Sequence, residues 1–499
     1  MKSVKSLLAV PFAAYVRNRI KKQMLTAAED QLHLLEQLLR DAQHTMFGKA
    51  HHFQEIKDYK SYREAVPIRD YEGFKPYIEK IKSGTQNVLW KGQPLYFAKT
   101  SGTTSGVKYI PISKDSIHNH IDTARNALLC YIAETGNHKL TDGKMIFLSG
   151  SPVLERIGGI PTGRLSGIVN HHVPRYLRTN QLPSFETNCI EDWEAKLDKI
   201  VEETIHQPMT LISGIPPWMQ MYFDRLQAAS GKKIKELFPQ LTLIVHGGVN
   251  FEPYRAKLME SLGEPVDTLE TYPASEGFLA FQDQPDAEGL LLNTHSGIFF
   301  EFVPADEIFQ PNPTRLSLGE VQTGVNYAVL ITSNAGLWAY NLGDTVRFVS
   351  LNPYRIVVTG RISHFISAFG EHVIAEEVEQ SLQAVASSHQ VKVTEFTVAP
   401  RVQVSEGRPY HEWYIEFEQA PADLDRFAEE LDQQMRKKNI YYNDLITGHI
   451  LDRLQIRLIR KNGFIDYMRA AGKLGGQNKL PRLSNDRYIA DALQAYVIS

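Results

Sequence analysis

Phe97-Ala98-Lys99-Thr100-Ser101-Gly102-Thr103-Thr104-Ser105-Gly106-Val107-Lys108-Tyr109 sets two glycines, five hydroxyl side chains and two lysines in thirteen residues. An apolar stretch, 88–97, leads into it, and the strand-like Tyr109-Ile110-Pro111-Ile112 follows. Glycine lets backbone N–H groups approach an anion closely, because no Cβ intervenes and positive φ costs little. The hydroxyls add rotatable donors and Lys108 adds charge, so the loop suits a polyphosphate. It is not a Walker A loop, which needs four residues between its glycines and then Gly-Lys-Ser/Thr; here three separate Gly102 from Gly106. The dinucleotide fingerprint is absent too, since the spacing fails and no helix follows directly. The plain alternative is a surface turn rich in small polar residues. The segments downstream decide between the two.

At 499 residues the chain is too long for one typical domain. Its 43% hydrophobic and 22% charged content is ordinary for a water-exposed globular protein. A formal net charge of −3 gives nucleic acid and acidic membrane no purchase. Cys130 and Cys189 belong to no Cys-x-x-Cys pair, which excludes a zinc ribbon or redox couple and points to a reducing cytoplasm. Residues 1–14 have the basic start and short apolar run of a weak leader, but charge returns at Arg17 and the run is too short to span a bilayer. The expectation is a cytoplasmic protein with no membrane partner.

The expected fold class is α/β. A large N-terminal domain of layered sheets and helices, with a β-rich subdomain, spans 1–359; a smaller α+β domain spans 360–499. In order, Thr26-Ala27-Ala28-Glu29 reads as a capping box before a helix whose apolar face carries Leu32, Leu35 and Leu39. Residues 44–96 mix helix and loop, broken at Pro67, Pro76 and Pro94. A helix is predicted from 113 to about 133. Short buried strands at 145–148, 209–212 and 241–245 end in Ser149-Gly150-Ser151, Ser213-Gly214 and His246-Gly247-Gly248. They alternate with helices such as 192–205 and 252–262, the α/β signature. In open α/β sheets ligands bind beyond the carboxyl ends of such strands. Strands at 297–303, 327–332, 345–349 and 354–358 make the β-rich part. Beyond Gly360-Arg361 come helices on 374–385 and 424–435 and a hairpin from 391–399 and 412–417.

Three further segments carry chemistry. They are Tyr272-Pro273-Ala274-Ser275-Glu276, Tyr340-Asn341-Leu342-Gly343-Asp344, and Gly360-Arg361-Ile362 running on to Gly370-Glu371-His372. Singly, each has a commonplace account as a turn, hairpin or linker. In this order with the hydroxyl loop, they resemble the adenylate-forming superfamily of acyl-CoA synthetases and luciferase. The closer resemblance is to the Gretchen Hagen auxin-responsive family of acyl acid amido synthetases. Its Ser-Ser-Gly-Thr-Ser, Tyr-x-x-Ser-Glu and Tyr-Arg-x-Gly-Asp signatures are similar to Thr100-Ser101-Gly102-Thr103-Thr104, Tyr272–Glu276 and Tyr340–Asp344. Phe299-Phe300-Glu301-Phe302-Val303-Pro304 and 475–482 extend the likeness to roughly 85–485. Thr100 and Asn341 depart from the usual serine and arginine, and His372 stands where plant members often carry lysine.

The resemblance implies ATP and Mg²⁺ as cofactors, with small carboxylic acids and amino acids as substrates. The acid attacks the α-phosphate, giving acyl-AMP and pyrophosphate; an amine then displaces AMP. It further implies that Thr100, Ser101, Gly102, Thr103 and Thr104 bind ATP phosphates, with Ser275 nearby. Tyr272 packs on adenine, Asp344 accepts from the ribose hydroxyls, and Arg361 reaches the ribose or α-phosphate. Glu276 holds the metal, and Lys479, with Lys473 as its rival, serves catalysis from the small domain. Arg125, on the helix after the loop, either pairs with a substrate carboxylate or sits on a solvated face. His118 and His120 lie two apart, off one another's helix face, and make poor metal ligands. His171-His172 lacks a Glu-x-x-His context. The missing Gly-x-Ser-x-Gly argues against an α/β-hydrolase. Two alternatives stay open: an acyl-CoA ligase of the same superfamily, and a nucleotide-binding protein without turnover.

Overall fold

In this computed structural model, residues 4–498 are described, except 102–106, 174–177, 249–250, 363–364, 367–372, 403, 405–406, 448–450, 475–479 and 485. Two compact units divide the chain. The larger takes Met1–Val249, Leu258–Leu342 and Val346–Val357; the smaller takes Asn250–Lys257, Gly343–Thr345 and Val358–Ser499.

The quoted stretch is a β-hairpin. Strand β1 (Tyr96–Ser101) pairs antiparallel with β2 (Val107–Ile112), from Tyr96↔Ile112 to Ser101↔Val107. After β3 (Lys144–Phe147) come β4 (Glu155–Ile157) and β5 (Ile160–Gly163), and β5 runs parallel to β1. The four form a small sheet in the order β2-β1-β5-β4. A second sheet begins with β3 and takes β6 (Gln181–Leu182), β7 (Met209–Gly214), β8 (Leu243–Gly247) and β9 (Asp267–Ala274), all parallel to their neighbours. Buried on both faces, these strands read as apolar runs rather than alternations. The sheet turns antiparallel at β10 (Gly277–Phe281) and β11 (Leu290–Leu292). It continues through β12 (Ile298–Pro304), β13 (Leu316–Ser317), β14 (Asn326–Ser333), β15 (Tyr340–Leu351) and β16 (Tyr354–Arg361). The full order is β13-β12-β14-β15-β16-β11-β10-β9-β8-β7-β3-β6.

Helix Ile117–Thr135 lies on the parallel part of this sheet. Ala127, Cys130 and Tyr131 are buried with Met145, Leu211, Leu243 and Phe278, and Ala13, Val16 and Ile20 of helix Val4–Met24 join the same cluster. Val10, Phe12 and Tyr15 on the same helix are exposed, so it packs through Ala13, Val16 and Ile20. Among the described residues no helix is long and apolar enough to cross a membrane.

Three local expectations need correcting. Thr26 does not cap helix Ala27–Ala42; its hydroxyl donates to Asp30 instead. On that helix Leu35 and Leu39 are buried, but Leu32 faces solvent at 38% exposure. Pro76 sits inside helix Tyr71–Lys82 instead of ending it. Its exposed position lets water satisfy the carbonyl one turn back, and Asp70 caps the helix on Gly73 N–H.

In the smaller unit, β17 (Phe365–Ile366) and β18 (Val373–Ile374) make a short ladder. β19 (Val393–Arg401), β20 (Tyr410–Phe417) and β21 (Gln455–Ile459) form a three-stranded sheet. Alternation along β20 builds two cores. Trp413 and Ile415 pack with helices Ala375–Ser388 and Leu424–Lys438, while Tyr414 packs with Phe464, Tyr467 and Leu493.

Candidate active site

The hydroxyl-rich loop joins the open end of the β1–β2 hairpin, with Thr100 half-buried opposite Lys108. Gly102, Thr103 and Thr104 lie outside the described residues, and only the backbone of Ser101 is described. Helix Tyr71–Lys82 ties the hairpin to the main sheet. Tyr109 N–H of β2 donates to Tyr71 Oη at 2.9 Å, and the Lys108 ammonium lies 5.7 Å from the Tyr71 ring centre. One turn on, the Phe74 ring packs 5.6 Å from Tyr340.

Tyr340 is 1% exposed, and its hydroxyl donates to Glu276 Oε1 at 3.2 Å. Burial first, and then the Glu276 charge, hold its phenol far above the ordinary range, so it stays a donor. Glu276 is half-buried in the tight turn between β9 and β10, next to the buried Ser275. Gly277 closes that turn. A Cβ there would come within 2.4 Å of Ile298 Cδ1. Asn119, near the start of helix Ile117–Thr135, clips the turn from the other side. Its Oδ1 accepts Phe278 N–H at 2.6 Å, and its Nδ2 donates to Ser296 Oγ at 2.8 Å. Tyr272 on β9 is 8% exposed, faces the large core cluster and lies across from Ala280.

Glu276 is thus linked through Tyr340, Phe74 and Tyr71 to the β1–β2 hairpin, and it follows the carboxyl end of β9, the side on which α/β sheets bind ligands. The backbone next to Asp344 meets the backbone next to Arg361 in the smaller unit. Ile362 N–H donates to Gly343 O at 2.7 Å, and Gly343 takes a φ of +80° that favours glycine. Lys479 and His372 lie outside the described residues, and Lys473 is exposed.

Arg125 pairs with Asp122 one turn earlier, Nη1 to Oδ1 at 3.1 Å. It lines a recess of about 370 Å³ with Arg19, His118, Asn126 and His295. His120 is buried, and desolvation pushes its pKa down to about 4, so it is a neutral ring. His171 Nε2 sits 2.8 Å from Pro152 O and His172 Nε2 3.1 Å from Tyr96 Oη. Among the described residues no three His, Cys, Asp or Glu gather as a metal site. A lone Glu276 still fits magnesium, which takes one or two carboxylates and fills its shell with phosphate oxygens and water. Sequence reasoning passed over Asn119 and the Tyr340 hydroxyl as supports of Glu276. Tyr340 was visible as the head of its motif; Asn119 had no signal.

A hydroxyl loop, a tethered carboxylate at the strand ends and a second α+β unit together define the adenylate-forming class of fold. Two solved folds agree with this one. The GH3.15 acyl acid amido synthetase aligns with a TM-score of 0.79 at 15% identity, over 96% of this chain and 95% of that one. A 2-hydroxyisobutyryl-CoA ligase aligns with a TM-score of 0.56 at 11% identity, over 96% and 90%. The GH3 family models match at residues 16–188 (N-terminal domain), 291–361 (central domain) and 376–488 (C-terminal domain), and the chain belongs to that family. Among its relatives, the jasmonoyl–L-amino acid synthetase JAR4 of Nicotiana attenuata is 21% identical over 85% of each chain. The indole-3-acetic acid-amido synthetase GH3.10 of Arabidopsis thaliana is 25% identical over 86% of each.

Proposed function

We propose that this protein is an ATP-dependent acyl acid amido synthetase. It joins a small carboxylic acid to AMP with release of pyrophosphate, then transfers the acyl group to an amino acid's amine, releasing AMP. The observation that carries this reading is the Tyr340–Glu276 tether at 3.2 Å, at the strand ends beside the hydroxyl hairpin. A metal-holding carboxylate next to a polyphosphate loop needs this prior orientation, because unscreened triphosphate repels an incoming carboxylate.

In this reading Thr100 to Thr104 donate to the phosphates and Tyr272 supports the adenine. Asp344 accepts from both ribose hydroxyls, and Arg361 offers its forked donors to ribose or phosphate. Glu276 holds Mg²⁺, which supplies charge neutralisation on phosphate oxygens. Lys479, carried by the smaller unit, offsets charge growing on the α-phosphate. Arg125 is the secondary candidate for a substrate carboxylate. The relatives' names favour an amine as the second nucleophile over a thiol. Free Cys130 and Cys189 fit a reducing cytoplasm.

The test is pyrophosphate release from ATP with pooled carboxylic acids, followed by mass analysis with amino acids or CoA. Acid-dependent release and an amide product are expected. No acid-dependent release rejects adenylation, and a thioester formed in place of the amide assigns a CoA ligase.

A further inference from the structure

Two cations of the larger unit have no acid to balance them among the described residues. Lys196, on helix Trp193–Thr204, is 2% exposed. Its ammonium donates to Ser149 O at 2.9 Å and Asn188 O at 2.8 Å, and its third N–H finds no acceptor among the described residues. Arg164 follows β5 directly, and its guanidinium makes no hydrogen bond or ion pair with any described residue. Its stem presses on Gly150, where a Cβ would lie 2.6 Å from Arg164 Cδ. Both cations therefore border the same small-residue loop, 149–151, beyond the carboxyl end of β3.

The carboxylate one helical stretch along, Glu203, is already saturated by Ser184 N–H, Ser184 Oγ and Thr187 Oγ1. Burial, opposed by Cys189 and reinforced by Arg164, brings the Lys196 pKa down to about 8, and burial lowers Arg164 as well. A buried cation held only by carbonyls is short of an anion. The strand register adds location. Gly163 pairs with Ala98 of β1, so Arg164 flanks the strand that leads into the hydroxyl loop.

We propose that Arg164 and Lys196 form a carboxylate subsite at loop 149–151, occupied by the α-carboxylate of the acceptor amino acid. This rests on the amido-synthetase reading above. Chemistry selects the occupant. The acyl substrate's carboxylate must attack phosphorus and loses its charge in the anhydride, so two fixed cations would hold it back in the ground state. The acceptor's α-carboxylate keeps its charge from substrate to amide product, and a pair of cations suits it throughout. The nucleotide's phosphates already have the hydroxyl loop.

The experiment compares wild type with Arg164→Met, Arg164→Lys and Lys196→Met in the full chain. The acceptor that works best among the twenty amino acids is assayed beside its carboxamide, which keeps the amine and loses the charge. A charged hydrogen bond is worth about 1.5–3 kcal/mol, so KM for the amino acid should rise roughly 10- to 100-fold in Arg164→Met. KM for the carboxamide should not follow, and Arg164→Lys should regain part of the loss. Parallel rises for both acceptors would make the pair structural and overturn the subsite. A matching loss of acid-dependent pyrophosphate exchange would assign the cations to ATP or the acid, and also overturns it. Because Lys196→Met opens a buried site, Arg164→Met with a wild-type melting curve is the deciding variant. Failure of the enzyme reading itself is separately visible, as absent acid-dependent exchange in wild type.

Discussion

Two buried cations of the larger unit have opposite surroundings. Arg315 is 6% exposed and lies 2.7 Å from Glu301, which is fully buried and also receives the Tyr59 hydroxyl at 3.1 Å. Its Nη1 donates to Arg63 O and Val66 O, at 3.0 and 2.6 Å. Lys196 is equally sequestered but, among the described residues, it donates only to carbonyls and Arg164 meets no acid. Burial alone therefore says little about the purpose of a charge. Where the neutralising group is part of the chain, the pair fixes the fold: Arg315 and Glu301 lock the helical segment around 63–66 to β12. Where it is not, the proposed counter-charge is an anion from outside.

The sharpest way to break this contrast is to unbalance the balanced side. Glu301→Ala leaves the Arg315 guanidinium buried and uncompensated, which costs about 3–5 kcal/mol when one partner of such a pair is removed. Urea denaturation should read that loss, and replacing both partners by Leu and Met should recover most of it. A loss under about 1 kcal/mol would show that water reaches the pair, and that it is a surface-type interaction.

Next in size is the cation assigned to chemistry. Lys479→Ala should slow acid-dependent pyrophosphate exchange at least about a hundredfold with the melting curve unchanged, the scale of removing one charge-stabilising donor. Wild-type exchange in that variant would hand the role to another cation, Lys473 first. Asp344→Ala should come third. If Asp344 accepts from the ribose hydroxyls as proposed, its loss should raise KM for ATP about ten- to a hundredfold. An unchanged KM would leave Asp344 as a strand residue with no part in nucleotide binding.

The two sides of the contrast differ in how far the sequence discloses them. The strands ending in Ser149-Gly150-Ser151, Ser213-Gly214 and His246-Gly247 were legible, because short apolar runs closed by small residues are local signals. So were the motif segments, whose order carries the family. What stayed hidden depends on partners far along the chain. Lys196 looks like any lysine on an amphipathic helix until the carbonyl of Ser149, 47 residues away, accepts its N–H. Asn119 gains its meaning from Phe278, 159 residues on. Thr26 misled for a different reason: its hydroxyl had a competing acceptor in Asp30, and a pattern of residue types does not rank acceptors. Pro76 misled because a helix tolerates proline on a wetted face, and exposure is a tertiary property.

Glu276 stands between the two extremes, a half-buried carboxylate that accepts a hydrogen bond from the Tyr340 phenol. Tyr340→Phe tests how much that hold matters, and it should give the smallest effect of the series. The substitution keeps the ring, its packing on Phe74 and its place in the core, and removes only the hydroxyl. At 3.2 Å the bond is long for a charged acceptor, so about 1 kcal/mol is at stake, roughly fivefold. On the proposed reading, removing the phenol takes away one contact that orients the carboxylate for the metal. The Mg²⁺ concentration for half-maximal exchange should therefore rise about fivefold while the turnover at saturating metal changes little. The raised phenol pKa keeps Tyr340 protonated across the neutral range, so the wild-type advantage should persist without a Tyr340 inflection there. If the metal dependence stays put while the melting temperature falls, the hydroxyl serves the core alone. The Gly277–Asn119 clip would then be sufficient to aim Glu276, and the distinction between charges held for structure and charges held for ligands would rest on Arg164 and Lys196 by themselves.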